Sequence, residues 1–461
     1  MHTASKALTA LVMTGISVMV NASIALAVGP NIMVNNSFEG GDQQFKLQSA
    51  FSIANDAGDA HTGSWEMRAN LTQSNNNAYQ SFYVWKNTDY TSSIWYKGAG
   101  KLTFVVMQGD WSTKLATKVL TATSSWKQAK LDWNSGNSTS AIVACIDDQQ
   151  SGGTVYLDDV FTGLTDAHDI GFDPHRPKAS GFKYLIFDDE FNSTSTIDEN
   201  TTGNDGFLWY TKQFYGFPPT TPSMYTVANG TLSLLNSPNN WGEVLHTAMP
   251  YNNSQGWKGT AFAPGQGLYV EGRIALLNIT KENYGASIWM TDVKNTVGVD
   301  NGMPGNPGHI EGIENDIMEF DPHWWGTANY ASTIHDWLEN SKVDVDNDNT
   351  PICPPAGTDV SQVHTFAMLW GPASAAHNWY GYRQCFFDDV PQTAICWKGN
   401  QTYTGVIPET KDSMGNYSFS LGDHRIFNLI LGGSQTGNPS LSVDWVHVYA
   451  VSPSSKVVVG N

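Results

Sequence analysis

The apolar residues of this 461-residue chain come in short strand-like stretches separated by turns. Residues 79–85, 102–107 and 154–157 are rich in aromatic and β-branched side chains, and Gly, Asn, Asp and Ser residues lie between such runs. No stretch keeps a 3.6-residue apolar period long enough for a core helix. This pattern is typical of sandwiches of antiparallel strands. The sequence therefore predicts an all-β fold.

The length of the chain exceeds what one ordinary hydrophobic core organises, so two domains are expected. Residues 166–180 contain the run Asp-Pro-His-Arg-Pro and almost no periodic apolar pattern, as a linker would. We therefore expect two β-sandwich (jelly-roll) domains in tandem, at 28–165 and 181–461.

The N-terminus has the features of an export signal. A lightly basic start leads into an apolar run at 8–20, and Ala25-Leu26-Ala27 has the small-x-small form that signal peptidase accepts. A membrane anchor is the alternative, but the run is shorter than the ~20 residues that span a bilayer. Residues 1–27 are predicted to be a signal peptide, and the mature protein is expected outside the cell or in the periplasm.

The formal net charge of -19 bears on the choice of partner. At long range it opposes binding to nucleic acid and to sulfated polymers. We expect a neutral polysaccharide as partner, no nucleic acid, no membrane, and a monomeric protein.

The four cysteines are Cys145, Cys353, Cys385 and Cys396, too few for a disulfide framework in a chain of this length. Cys385 and Cys396 flank a predicted strand–turn–strand, which makes a bridge between them plausible in an exported protein. Cys353 is the competing partner for either one.

Three carboxylates stand in one apolar strand-like run, at Glu314, Asp316 and Glu319. In a regular strand Glu314 and Asp316 share one face and Glu319 lies on the other. A bulge at Ile317–Met318 would add one residue and return Glu319 to the face of Glu314. The alternative is an exposed or metal-binding edge.

With the bulge, the two glutamates would be ~13 Å apart between Cα atoms, because about four strand steps separate them. Their carboxyl groups would then approach to about 5–6 Å, the separation of retaining glycosidases. Asp316 lies between them, and like charges at close range keep one member of such a group protonated near neutral pH.

The run from Glu314 to Glu319 fits the E-x-D-x-x-E signature of glycoside hydrolase family 16, and further landmarks follow the family order. These are residues 187–192, 227–234, 269–273, 286–290, 333–337, 364–370, 427–433 and 443–449. The chain resembles that family over nearly all of 181–451. The departures are Asn315, where an aliphatic residue is usual, and a long Gly/Pro loop at 300–309.

This resemblance implies a concanavalin-like catalytic sandwich with an open cleft on its concave face. It implies Glu314 as nucleophile, Glu319 as acid/base and Asp316 as the third catalytic residue. It also implies that Trp289, His335 and Trp337 bind substrate. For Trp289 and His335, packing within the sandwich remains the alternative.

Short motifs in the first domain resemble carbohydrate-binding modules of families 4 and 9. They lie at 31–39, 60–65, 126–128 and 156–160. The resemblance implies a structural calcium near the first and last strands, with Glu39 and Asp158 as candidate ligands. Surface carboxylates without a metal are the alternative.

Together these features predict a secreted, retaining endo-β-glycosidase that needs no cofactor for catalysis. The expected substrate is β-1,3(4)-glucan, followed by an agarose-like galactan. A transglycosylase and a non-catalytic glycan-recognition protein on the same fold remain alternatives.

Overall fold

The regular elements of the fold are β-strands and a few short 3₁₀ turns, which confirms the all-β prediction. Within the described part of the chain, no helix has the length and apolar character needed to cross a bilayer. The predicted signal peptide lies outside that part. The computed structural model describes residues 29–41, 44–72, 75–166, 171–213, 218–235, 243–251, 256–278, 280, 285–293, 311–322, 326–338, 351–378, 380–398, 426–433 and 441–460.

Two five-stranded sheets form from the first ten strands, in the orders β1-β4-β9-β6-β7 and β2-β3-β10-β5-β8. Every second residue of these strands faces the space between the sheets, where Phe104, Val155 and Trp133 are buried. The strands are β1 Lys46–Leu47, β2 Phe51–Asn55, β3 Trp65–Asn70, β4 Asn77–Tyr83, β5 Asp89–Gly98, β6 Lys101–Gln108, β7 Lys114–Thr121, β8 Lys127–Asn134, β9 Ser140–Ile146 and β10 Thr154–Leu164.

Two larger sheets form from the remaining strands. These strands are β11 Tyr184–Asp189, β12 Ile197–Asp198, β13 Trp209–Tyr210, β14 Tyr225–Ala228, β15 Thr231–Leu234, β16 Glu243–His246, β17 Ala248–Tyr251, β18 Gly256–Phe262, β19 Leu268–Leu276, β20 Ala286–Asp292, β21 Glu311–Phe320, β22 Tyr330–Ala331, β23 Ile334–Leu338, β24 Pro351–Ile352, β25 His364–Gly371, β26 Tyr380–Phe387, β27 Val390–Lys398, β28 Phe427–Gly432, β29 Leu441–Ala450 and β30 Lys456–Val459. The 3₁₀ turns lie at Thr194–Thr196, Pro222–Met224, Ala375–His377 and Pro453–Ser455.

One of these sheets runs β14-β15-β29-β19-β25-β26-β27, with β11 beside β29. The other runs β12-β13-β16-β28-β20-β21-β22-β24 and also holds β17, β18, β23 and β30. A single large apolar core lies between the two sheets and includes Ile288, Met290, Met318 and Trp370. Since Ile288 and Met290 face this core, Trp289 must face outward.

The two sandwiches contact each other directly. Trp85 stacks on Tyr380, with ring centroids 5.3 Å apart and an interplanar angle of 13°. The carbonyl of Asn31 accepts a hydrogen bond from the N–H of Ala394 at 3.0 Å. Within the segment that the sequence marks as a linker, Phe172 packs on Tyr269 with centroids 4.7 Å apart. The first sandwich therefore rests against the second.

Expressed alone, residues 181–461 are expected to fold and to act on short oligosaccharides, but to melt at a lower temperature than the full chain. The reason is that Tyr380, only 7% exposed, loses the Trp85 ring. Activity on insoluble polymer should also fall, because tethering raises the local enzyme concentration. Calorimetry of the truncated and full chains measures the melting temperatures, and assays on short oligosaccharides and on insoluble polymer measure the activities.

A Trp85→Ala variant of the full chain is the matched control, with an expected loss of ~2–3 kcal/mol. Equal melting temperatures for the truncated and full chains would show that the contact adds no stability. No activity on short substrates after truncation would show that the first sandwich builds part of the site.

The bridge between Cys385 and Cys396 that the sequence makes plausible is wrong, since none of the four cysteines is in a disulfide. Cys396 lies opposite Tyr382 in the β26–β27 pair. Cys385 instead belongs to the core between the sheets, where its Sγ is 3.0 Å from Ser332 Oγ. The two thiols therefore face opposite sides of the strand pair.

Candidate active site

A β-bulge interrupts strand β21 at the position that the sequence predicts. Along β20, Ile288 lies opposite Met318 and the next residue, Trp289, lies opposite Asp316. Ile317 is thus the additional residue on β21. The bulge predicted at Ile317–Met318 is confirmed.

The bulge brings all three carboxylates to one face of the sheet. Their partners on β20 are residues 287, 289 and 291, which alternate and so share a face. Partners in an antiparallel pair point to the same side, so Glu314, Asp316 and Glu319 also share that face. This face points away from the core. The side chains of Met318 and Ile317 instead belong to the core.

His335 and Trp289 stand beside the acids. His335 lies opposite Glu314 in the β21–β23 pair, and its Nε2 is 3.2 Å from Asp316 Oδ2. One carboxylate oxygen each of Glu314 and Asp316 and one ring nitrogen of His335 lie within 4.8 Å of one another. Trp289, half-buried, lies directly opposite Asp316. The structure therefore gathers these sequence-predicted side chains into one cluster.

Glu319 has an unusual pKa for a carboxyl group. The pKa of Glu319 is raised from 4.5 to about 7. Burial of the carboxyl group is the largest cause, and the negative charge of Asp316 is the next. His335 acts in the opposite direction and lowers the pKa. The sequence anticipated the contribution of Asp316 but not that of burial. Near neutral pH this carboxyl can therefore hold a proton.

A Glu319→Gln variant is expected to be more stable than the parent protein at pH 8 and nearly as stable at pH 4. Because the pKa of Glu319 is raised in the folded state, the folded protein binds the extra proton, and stability is lost as the pH rises from 4.5 through about 7. The glutamine side chain of the variant does not ionise, so the variant does not lose this stability as the pH rises. The melting temperature at pH 8 should rise by about 5 °C.

Thermal melts at both pH values measure this difference, with Asp89→Asn as the control at an exposed carboxylate of β5 whose side chain accepts a hydrogen bond from the neutral amide of Asn134. A gain of equal size at pH 4 and pH 8 would contradict this explanation, because protonation would then play no part.

The arrangement suits bond cleavage that needs a proton donor and a carboxylate nucleophile. A buried acid that keeps its proton near pH 7 can protonate a leaving oxygen. A second carboxylate on the same face can attack from the other side of the bond. The carboxyl separation of about 5–6 Å expected from strand geometry stays a prediction.

Three sequence-predicted residues lie apart from this cluster or lack a described side chain. Trp337 pairs with Gly312 in β23, but its side chain lies outside the described part. Glu39 accepts the N–H groups of Ser64 and Trp65 at 2.9 and 3.0 Å. Both predicted calcium ligands, Glu39 and Asp158, belong to the first sandwich.

Asp158 is fully buried and accepts the N–H groups of His61 and Thr62 at 2.7 and 3.1 Å. Burial and the neighbouring charge of Asp159 raise the pKa of Asp158 to about 8. Both Glu39 and Asp158 therefore fix the 61–65 segment through hydrogen bonds that need no metal. Calcium at this end of the sandwich stays a prediction.

Sequence reasoning missed the arginine directly behind the acids. Arg383 is 1% exposed and contacts Asn315, Ser332 and Cys385 in the core. An arginine inside the otherwise largely apolar run of β26 was the available signal, because a buried guanidinium needs acceptors.

The first sandwich carries a small apolar cluster on the outer face of the sheet β1-β4-β9-β6-β7, and aromatic side chains pack against it. Val105, Ile142 and Ala144 belong to this cluster and are at most 1% exposed, although they point away from the main core. Tyr79 and Trp111 stand edge to face beside them, with centroids 5.1 Å apart. We call this surface the aromatic cluster.

No family model and no curated protein matches the chain. Among solved structures, it is similar to a mutant of a non-specific endo-β-1,3(4)-glucanase from family GH16, with 19% identity, 58% of this chain and 94% of that chain covered, and a TM-score of 0.33.

Two similar structures align with about a third of the chain. The CBM22-1 xylan-binding domain of Paenibacillus barcinonensis Xyn10C has 20% identity, covers 31% of this chain and 98% of its own, and gives a TM-score of 0.26. TmCBM61, solved with β-1,4-galactotriose, has 16% identity, covers 30% of this chain and 99% of its own, and gives a TM-score of 0.25. At these values no residue role carries over, so the function must be argued from this chain's own side chains.

Proposed function

We propose that this protein is an exported, retaining endo-β-glycosidase whose second sandwich hydrolyses internal bonds of a neutral β-1,3(4)-glucan. Glu314 is the nucleophile and Glu319 the acid/base. The proposal depends above all on the bulge at Ile317, which puts both glutamates and Asp316 on one face. No cofactor takes part in this chemistry.

In the first step, Glu319 donates its proton to the glycosidic oxygen while ionised Glu314 attacks the anomeric carbon. The bond between that carbon and the leaving oxygen breaks, and a covalent glycosyl ester forms on Glu314. The pKa of about 7 keeps Glu319 supplied with the proton near neutral pH.

In the second step, Glu319 takes a proton from water, which attacks the ester and releases Glu314. The pKa of Glu319 should fall after the first step, because the ester removes a nearby negative charge. Asp316, with His335 3.2 Å away, stands where it can hold the nucleophile in place. The two inversions leave the product in the β configuration.

The first sandwich is proposed to hold the polysaccharide on the aromatic cluster. Aromatic faces suit the apolar faces of sugar rings, and the half-buried rings of Tyr79 and Trp111 form the accessible part of this cluster. The net charge of -19 is compatible with a neutral polymer. A Trp111→Ala variant should bind insoluble glucan more weakly than the parent, while its rate on short oligosaccharides stays the same.

The substrate is tested by product analysis on a panel of laminarin, mixed-linkage glucan, agarose and carrageenan. Internal cleavage of the β-glucans is expected, seen as a ladder of oligosaccharides, with no products from sulfated carrageenan. Cleavage of agarose alone would assign the galactan instead. Longer oligosaccharides than the substrate would indicate transglycosylation, and binding without any product would contradict the enzymatic proposal.

A further inference from the structure

A buried cation lies behind the candidate active site. Arg383 belongs to β26, in the opposite sheet, and extends through the core to the rear of β21. Its Nη2 donates to the carbonyl of Asp316 and, at 2.6 Å, to Ser332 Oγ. Its Nη1 is 3.2 Å from Cys385 Sγ. Within the described part of the chain, its hydrogen bonds go to neutral groups only.

The bulge creates the need for these donors. An additional residue disturbs the ladder and leaves carbonyl groups that require other partners, at a cost when they are buried. Ser332 Oγ lies 2.9 Å from the carbonyl of Asp316 and 2.8 Å from that of Ile317. The carbonyl of Asp316 also accepts the N–H of Thr333 at 3.2 Å. The single proton of the Ser332 hydroxyl can therefore go to the Ile317 carbonyl only if the Asp316 carbonyl keeps its other donors. The guanidinium of Arg383 supplies a further donor at this point.

Asn315 completes the arrangement. Its neighbours Glu314 and Asp316 face the cleft, so the Asn315 side chain points into the core, where it is 1% exposed. Its Oδ1 accepts the Nε–H of Arg383. An aliphatic residue at this position would leave that N–H without its acceptor. Asn315 and Arg383 are therefore a matched pair across the sandwich.

We propose that Arg383, together with Asn315 and Ser332, is a positioning residue that holds the bulge and so sets the spacing of Glu314 and Glu319. The inference rests on the proposed glycosidase function. If the bulge relaxed into a regular strand, every later side chain would change sides, and Glu319 would leave the cleft face. The catalytic effect of Arg383 is therefore transmitted through the backbone of residues 315–317.

The test compares Arg383→Met, Arg383→Lys and the double variant Arg383→Met/Asn315→Leu with the parent protein. The double variant replaces the polar pair with apolar groups of similar size, which often restores stability in a core. We expect its melting temperature to approach that of the parent, while kcat on unactivated glucan stays about 10²-fold lower with KM within about threefold. Arg383→Lys should retain more activity than Arg383→Met.

The pKa of Glu319, followed by carbon NMR of its carboxyl group, provides a readout that does not require turnover. We expect it to shift away from the parental value in the stable double variant, because both the burial of Glu319 and its distance from Asp316 depend on the bulge. Parental kcat and a parental Glu319 titration in that variant would overturn the proposal and leave Arg383 a purely structural role. An inactive parent protein would instead refute the glycosidase, and the titration would still decide on the positioning.

Discussion

A Glu314→Ala variant is expected to lose hydrolysis of β-glucan by ~10⁴-fold or more, because no glycosyl ester can form without the nucleophile. The fold should persist, since removing one of three crowded carboxylates relieves repulsion and costs little packing. Initial rates on glucan, with a calorimetric melt of the same sample, measure both. Glu190→Ala, at an exposed carboxylate that directly follows β11 and contacts His447, is the control and should stay within about twofold of the parent.

Azide distinguishes loss of the nucleophile from general damage. In Glu314→Ala, a small anion can occupy the vacated space and attack an activated aryl glycoside from the face that Glu314 used. One inversion then gives the α-glycosyl azide. Formation of the β-azide by this variant would contradict the assignment of Glu314.

A Glu319→Ala variant is expected to depend strongly on the leaving group. Hydrolysis of natural glucan should fall by ~10²–10⁴-fold, because no acid protonates the glycosidic oxygen. Glycosylation by an activated aryl glycoside should be largely spared, since that leaving group departs without a proton. Transient kinetics on both substrate types separate the two effects.

Azide should restore turnover in Glu319→Ala and give the β-azide, because the anion attacks the ester on Glu314 without a general base. The two variants thus predict opposite stereochemical products. If Glu319→Ala gives the α product and Glu314→Ala the β product, the two roles are reversed.

The bulge could be predicted from sequence because its cause is local. Three acids within six residues of a strand cannot share a face at regular spacing, and one additional residue resolves the conflict. The register of β20 against β21 puts that residue at Ile317. Patterning of this kind also sufficed for the all-β fold.

The contact between Asn315 and Arg383 behind the acids could not be predicted in the same way. Asn315 and Arg383 are 68 residues apart and meet only because the two sheets stack face to face. In the sequence, Asn315 is a departure from a family pattern, and Arg383 is a lone cation in a buried strand. Their pairing depends on which strands oppose each other across the core.

Tertiary packing also explains the other differences between the predictions from sequence and the structure. Burial, which no local pattern measures, is the larger cause of the raised pKa of Glu319. Cys385 and Cys396 flank one hairpin, but the pleat points them to opposite sides. Phe172 looked like part of a free linker, yet it packs on Tyr269.

The configuration of the first-formed product tests the central claim most directly, because it depends on how the bulge spaces Glu314 and Glu319. Proton NMR of a β-glucan digest, recorded before mutarotation, reports the anomer released by the enzyme. The bulged arrangement predicts that the β-anomer appears first and the α-anomer grows in later. An α-anomer that appears first would mean that water, and not Glu314, attacks the anomeric carbon, and it would contradict the proposed mechanism.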